Sequence, residues 1–132
     1  MKRNSFRDLE AYKEAKKLVR DVYVLMQKFP REEQHALCNQ LRRASISVTS
    51  NIAEGSGRVS RKEKVHFIEI SYGSLMEVLS QLDIAADLGY ITQEEFGWIE
   101  AQEDKVAGLL SGLRAYFIRQ EAINQASLPP NQ

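Results

Sequence analysis

Two Glu-x-x-His pairs, Glu32/His35 and Glu63/His66, have the spacing nearest to a recognisable chemistry. Helical bundles build di-metal carboxylate centres from one such pair on each of two helices and a further glutamate on each of the others. Here the pairs open two consecutive, antiparallel helices. At 1.5 Å of rise per residue over roughly 25 residues they lie on the order of 35 Å apart, so they cannot share a metal. Solvated helix starts explain both pairs, and neither a metal nor another cofactor is expected. The single cysteine, Cys38, has His35 three residues away but no third group to orient it. No serine has an evident histidine and carboxylate partner. Gly55-Ser-Gly-Arg58 follows no strand, so it does not make a phosphate-binding turn. No catalytic residues are assigned, and a non-enzymatic protein is expected.

Positive charge is the stronger feature. Arg42 and Arg43 fall in the middle of the second predicted helix, while Arg58, Arg61, Lys62 and Lys64 crowd the break before the third. That second group lies beside free backbone N–H groups, where phosphate binds readily. Lys13, Lys16, Lys17 and Arg20 add charge on the first helix. The cluster reads either as an ordinary solvated face or as a backbone-directed, salt-sensitive nucleic-acid surface. The chain has formal net charge zero, yet it is divided. Through His66 there are 15 Lys/Arg against 8 Asp/Glu, and from Phe67 onward 3 against 10. Such a dipolar chain suits polyanions, basic partners or its own copies.

A polar set, Asn51, Glu54, Ser74 and Glu77, falls near the apolar stripes of the second and third helices, with Arg43, Ser47 and Ser50 close by. Bonded across the helices, it would fix their register rather than do chemistry. Gly108-x-x-x-Gly112 permits close approach of a helix, either within the molecule or from another subunit.

These residues must be positioned by four helices. The apolar stripe Leu9, Tyr12, Ala15, Val19, Val22, Met26 predicts a helix over about 6–28, ended by Pro30. Leu37, Leu41, Ala44, Val48 and Ile52 predict a second over about 31–54, with Gly55 in the left-handed position that ends it. Ser60-Arg-Lys-Glu63 and Thr92-Gln-Glu-Glu95 are capping boxes opening the third and fourth; Ser5-Phe-Arg-Asp8 resembles one at the first. Ser45–Ser50 alternates like a strand and lacks good helix formers, but a lone strand would have no partner, so helix is expected. Three-four spacing over long helices joined by short breaks predicts an all-α, antiparallel up-down-up-down four-helix bundle, left-handed, over residues 1–123. Residues 124–132 read as a flexible tail. One cysteine, no export signal and no apolar run long enough to span a bilayer point to a cytoplasmic protein with no membrane partner.

Gln40-Leu-Arg-Arg-Ala44, Ser47, Asn51-Ile-Ala-Glu-Gly55, Arg58 and Gly73-Ser-Leu-x-Glu77 resemble the four-helix-bundle family of the 23S rRNA intervening-sequence proteins. Phe6-x-x-Leu9, Phe29-Pro30 and Leu88-Gly-Tyr-Ile91 extend the resemblance over about 6–120. It implies a cytosolic bundle assembling into five-membered rings. A similar bundle, the accessory protein of diversity-generating retroelements, forms a basic pentamer that binds nucleic acid and a reverse transcriptase. Arg42, Arg43 and Arg58 match basic positions of the motif, and Asn51, Glu54 and Glu77 match polar ones. Glu33-Gln-His-Ala-Leu37 departs from the family's glycine-bearing, aromatic stretch. The expected function is oligomeric nucleic-acid binding, to structured RNA, through the basic face. The alternative is a protein-interaction scaffold or accessory subunit without nucleic acid.

Overall fold

The computed structural model describes residues 5–127. Four helices, α1 (Glu10–Met26), α2 (Leu37–Ser56), α3 (Arg61–Asp87) and α4 (Gln93–Ala126), form the expected all-α antiparallel bundle. Each packs on two neighbours in a closed square, α1 on α2 and α4, α3 on α2 and α4. Leu18, Val22, Leu41, Val48, Leu75, Val78, Leu82, Ile99, Val106 and Leu110 are sealed at its centre, where burial of each large side chain is worth about 1.5–3 kcal/mol.

The helix ends show which local signals decide. Thr92 and Glu95 form a reciprocal capping box, with the Glu95 N–H donating to Thr92 Oγ1 at 3.0 Å and the Thr92 N–H to Glu95 Oε1 at 2.8 Å. At α3 only half of the expected box forms: Ser60 Oγ accepts the Glu63 N–H at 3.0 Å, while the Glu63 carboxylate turns to Arg58 at 3.7 Å. At the C-terminus of α3, Gly89 adopts φ 81°. Its N–H reaches Ala86 O at 3.0 Å and that of Tyr90 reaches Ala85 O at 2.9 Å, a Schellman closure.

Three boundaries depart from expectation. Ser5 Oγ accepts from Arg7 N rather than from Asp8, which leaves a 3-10 turn at Phe6–Asp8 and starts α1 at Glu10. After Pro30 the chain makes a 3-10 turn over Arg31–Glu33, and Ala36 (φ −122°, ψ −100°) interrupts it before α2 begins at Leu37. The Glu33 carboxylate then accepts the Leu37 N–H at 3.4 Å and supplies the missing cap. Arg42 and Arg43 therefore stand in the first two turns of α2, not in its middle. The third departure is α4, which holds Asn124–Ala126 in helix and ends at Ser127. No glycine or proline interrupts it between Gly112 and Pro129, so the helix outruns the boundary placed before Asn124. The rest of the expected tail, 128–132, lies outside the described residues.

Gly55 is corrected too. It is a buried residue inside α2, not a left-handed terminator. A Cβ there would stand 3.0 Å from the Phe67 Cβ, so the glycine lets α3 approach. The hydroxyl-rich stretch Ser45–Ser50 is helical for a related reason. Thr49 Oγ1 donates to Ile46 O at 2.8 Å and Ser45 Oγ to Arg42 O at 3.2 Å, so the side chains bond within their own helix. Their small size makes room for Ser71, whose Oγ donates to Val48 O at 2.7 Å across the α2–α3 seam.

Candidate nucleic-acid interface

The six basic candidates divide into two groups. Arg42 and Arg43 flank a shallow groove on the outer side of α2, shared with Asn39, Ile46, Ser47 and Ser50. Arg58, Arg61, Lys62 and Lys64 surround the α2–α3 corner. Fifteen residues of mostly helical rise separate Arg43 from Arg58, roughly 20 Å, so the fold does not gather them at one point.

Their surroundings also differ. Arg42 is half-buried and reaches back to the preceding turn, donating from Nη2 to Gln34 Oε1 at 2.8 Å and from Nη1 to Gln34 O at 3.3 Å. Arg43 is exposed and donates to Gln40 Oε1 at 2.8 Å. Arg58 is engaged by acids, Glu54 at 3.5 Å and Glu63 at 3.7 Å. Its guanidinium also lies 4.7 Å from the centre of the Phe67 ring. Lys64 turns onto the last carbonyls of α2, 3.2 Å from Ser56 O and 3.5 Å from Gly55 O, where a cation complements the helix dipole. Arg61 and Lys62 form no ion pair among the described residues, and neither do Lys16 and Arg20, exposed on α1. On the helical basic surface the available charge is thus carried by Lys16, Arg20, Arg42, Arg43, Arg61 and Lys62, while Arg7, Arg31 and Arg119 are exposed without an ion pair elsewhere among the described residues. Arg58 and Lys64 hold the corner together.

The expected polar set is half assembled. Ser47 Oγ and Ser74 Oγ lie 2.8 Å apart across the α2–α3 seam, and Asn51 Nδ2 donates to Ser47 O at 2.8 Å and to Ser47 Oγ at 3.0 Å. Ser71, bonded to Val48, extends the seam. Glu54 turns away to Arg58, and Glu77 is exposed outside this network. The two Glu-x-x-His pairs open opposite ends of the bundle, and among the described residues no group of three or more His, Cys, Asp or Glu is placed to hold a metal. Cys38 is completely buried, and burial raises its thiol pKa.

Two acidic residues escaped the sequence reading. Glu14 is only 4% exposed, yet it is ionised. Lys17 and Lys105 each stand 3.0 Å from its carboxylate. Gln102 donates to it at 3.3 Å and to its backbone oxygen at 3.0 Å. These groups, Lys17 first, lower its pKa to about 2. Gln102 stands in the expected core stripe of α4, and its polarity there was the available signal. Glu103 is 3% exposed without such partners, and burial, reinforced by Asp104 and Glu100, pushes its pKa up to about 7. A third group was missed at the opposite corner. Tyr90 Oη donates to Glu33 Oε2 at 2.7 Å, so the carboxylate that caps α2 also ties it to the α3–α4 turn.

The solved structure of a protein with unknown function from the S23 ribosomal protein family of Bacteroides thetaiotaomicron VPI-5482 is similar to this chain, with TM-score 0.72 and 19% identity. The match covers 79% of this chain and 97% of that one, and it shows a common fold. No match is found among curated proteins. The family described as 23S rRNA-intervening sequence protein matches residues 7–112. With four fifths of its length matched and its bundle shared by a solved relative, the chain belongs to the 23S rRNA-intervening sequence protein family.

Proposed function

We propose that the protein is a non-enzymatic, cytoplasmic homo-oligomer that binds structured RNA through the basic surface carried by α1, α2 and the start of α3. The observation that carries this reading is the group of cations on α1, α2 and the start of α3 that have no carboxylate partner among the described residues, Lys16, Arg20, Arg42, Arg43, Arg61 and Lys62, with Lys64 bound instead to the end of α2. Other cations are matched by an acid, as Arg114 is by Glu69 at 2.7 Å. Unmatched ones raise the local potential where a phosphate backbone can neutralise it. Their separation into two groups about 20 Å apart suits an extended polyanion better than a small phosphate ligand. No base-reading arrangement is evident, so recognition follows backbone and shape.

A five-membered ring, which the family resemblance implies, is supported by apolar surface that the bundle does not use. Trp98 is 54% exposed, and Ile84 on α3 and Leu88 just past its end are likewise exposed. Around Gly108 and Gly112 an added Cβ meets nothing within 4 Å, so neither glycine serves the packing of the bundle itself. The same surface favours the second reading, a protein-interaction scaffold or accessory subunit without nucleic acid.

A mobility-shift assay at low salt with a folded RNA hairpin separates the two. Binding that falls steeply with salt, and about tenfold or more in Arg42→Ala/Arg43→Ala, supports RNA recognition. No retention at tens of micromolar, beside a nuclease-resistant complex from native lysate, would establish the scaffold instead.

A further inference from the structure

At the α2–α3 corner, α2, α3, α4 and the turn before α1 leave a cavity of about 190 Å³. Its walls are Phe6, Leu9, Ile52, Ile68, Leu113 and Phe117. Among the described residues no carboxylate lines it. The polar groups at its edge are Ser5, Ser56 and Lys64, the last with Nζ 5.6 Å from the Phe117 ring centre and bonded to the carbonyls of Gly55 and Ser56. An ammonium group has three N–H donors. Two carbonyls occupy at most two of them, and among the described residues no acid lies within ion-pairing distance of Lys64. The site therefore combines an apolar chamber with a cation that retains a free donor. A dry cavity of about 150 Å³ is enough to take up benzene, so this one has room for a single ring or a short alkyl chain.

We propose that the cavity binds a small amphipathic organic anion, its ring or chain of about six carbons against Leu9, Ile68 and Leu113 and its carboxylate on Lys64. Two features of the cavity select this class. The apolar walls exclude a fully polar anion such as free phosphate, which would lose hydration without replacement bonds. The unneutralised ammonium favours an acid over a neutral molecule of the same shape. Such a ligand would bridge α2, α3 and α4 and the turn before α1, filling the cavity at this end of the core. This site is separate from the nucleic-acid surface, which does not use Lys64.

The test is a titration of the full-length, ¹⁵N-labelled protein with 3-phenylpropionate and, in parallel, its neutral counterpart 3-phenylpropan-1-ol. The expected result is saturable shifts concentrated at the amides of Leu9, Ile52, Gly55, Ile68 and Leu113, with the acid bound about tenfold more tightly than the alcohol. Lys64→Met should abolish that preference while the alcohol still binds, Lys64→Arg should keep it, and Leu113→Trp should block both ligands by filling the chamber. If Lys64→Met does not fold, the preference for acid in Lys64→Arg, set against the wild type, decides. Absence of saturable shifts up to about 10 mM, a range that covers fragment-sized ligands, would overturn the proposal. So would equal affinity for acid and alcohol, shifts spread over the outer faces of α1 and α2, or saturation seen only after residues 1–4 are removed, which would assign the chamber to the chain's own N-terminus.

Discussion

Glu14 and Glu103 are the same residue type at nearly the same burial, yet their protons are held in opposite ways. Glu14 has two ammonium groups and an amide at its carboxylate; Glu103 is desolvated by burial and has Asp104 and Glu100 beside it. The consequence for stability has opposite signs. A pKa lowered from 4.5 to about 2 means that Glu14 contributes its full stabilisation above about pH 4.5 and loses it as the pH falls toward 2. A pKa raised from 4.5 to about 7 means that Glu103 is harmless below about pH 4.5 and costs stability as the pH rises through 7. Glu103→Gln should therefore raise the urea midpoint at pH 8 and change it little at pH 5. An equal change at both pH values would show that the carboxylate is not perturbed by its burial. Neither environment could be read from the sequence, because the lysine and glutamine that settle Glu14 include Gln102 and Lys105, nearly ninety positions away along the chain.

Among the elements, the α2–α3 pair is the most closely packed, and Gly55 is the residue that allows it. Gly55→Ala places a methyl group 3.0 Å from Phe67 Cβ, an atom fixed to its backbone. The expected loss is about 1–3 kcal/mol in denaturant unfolding, as for other overpacked sites. Gly108→Ala is the matched comparison. Its Cβ enters open space within a helix, so it should stabilise the monomer by about 0.5–1 kcal/mol. The Asn-Ile-Ala-Glu-Gly stretch that carries the family resemblance acquires a physical explanation here. Ser47 and Asn51 fasten the seam, Ile52 fills the core, and Gly55 brings α3 into contact.

For the whole molecule, the division of charge along the chain becomes a division of surfaces, because consecutive helices are also neighbours in the bundle. Exposed cations line α1 and the outer side of α2, while Glu94, Glu95, Glu100 and Asp104 stand on the first half of α4. If about four of the unmatched cations contact phosphate, the logarithm of RNA affinity should fall with the logarithm of salt concentration at a slope of about −3. A slope near zero would remove the backbone-directed reading. Sedimentation at micromolar concentration should give a species several times the 15.1 kDa chain mass, and a monomer would contradict the ring. Heterologous contacts between unlike faces close into rings, so such an assembly should also loosen as salt screens its charges.

Taken alone, the sequence determined the number and order of helices, their antiparallel arrangement, the capping box at Thr92 and the residues at the centre of the core. These follow from local periodicity and from the shortness of the breaks, which leave adjacent helices little choice but to turn back on each other. It also drew Asn51 and Ser74 into one polar set, but with Glu54 and Glu77, which lie away from the seam. Only the tertiary structure decided which charges remain available. Whether Arg58 and Lys64 face solvent or hold a corner depends on Glu54, Phe67 and the end of α2 meeting in space. The start of α2 was settled the same way, by a carboxylate of Glu33 shared with distant Tyr90. The Glu-x-x-His pairs show both sides of this division. Their spacing along the chain was enough to separate them, but the bonds that occupy their neighbourhood had to be seen in the fold.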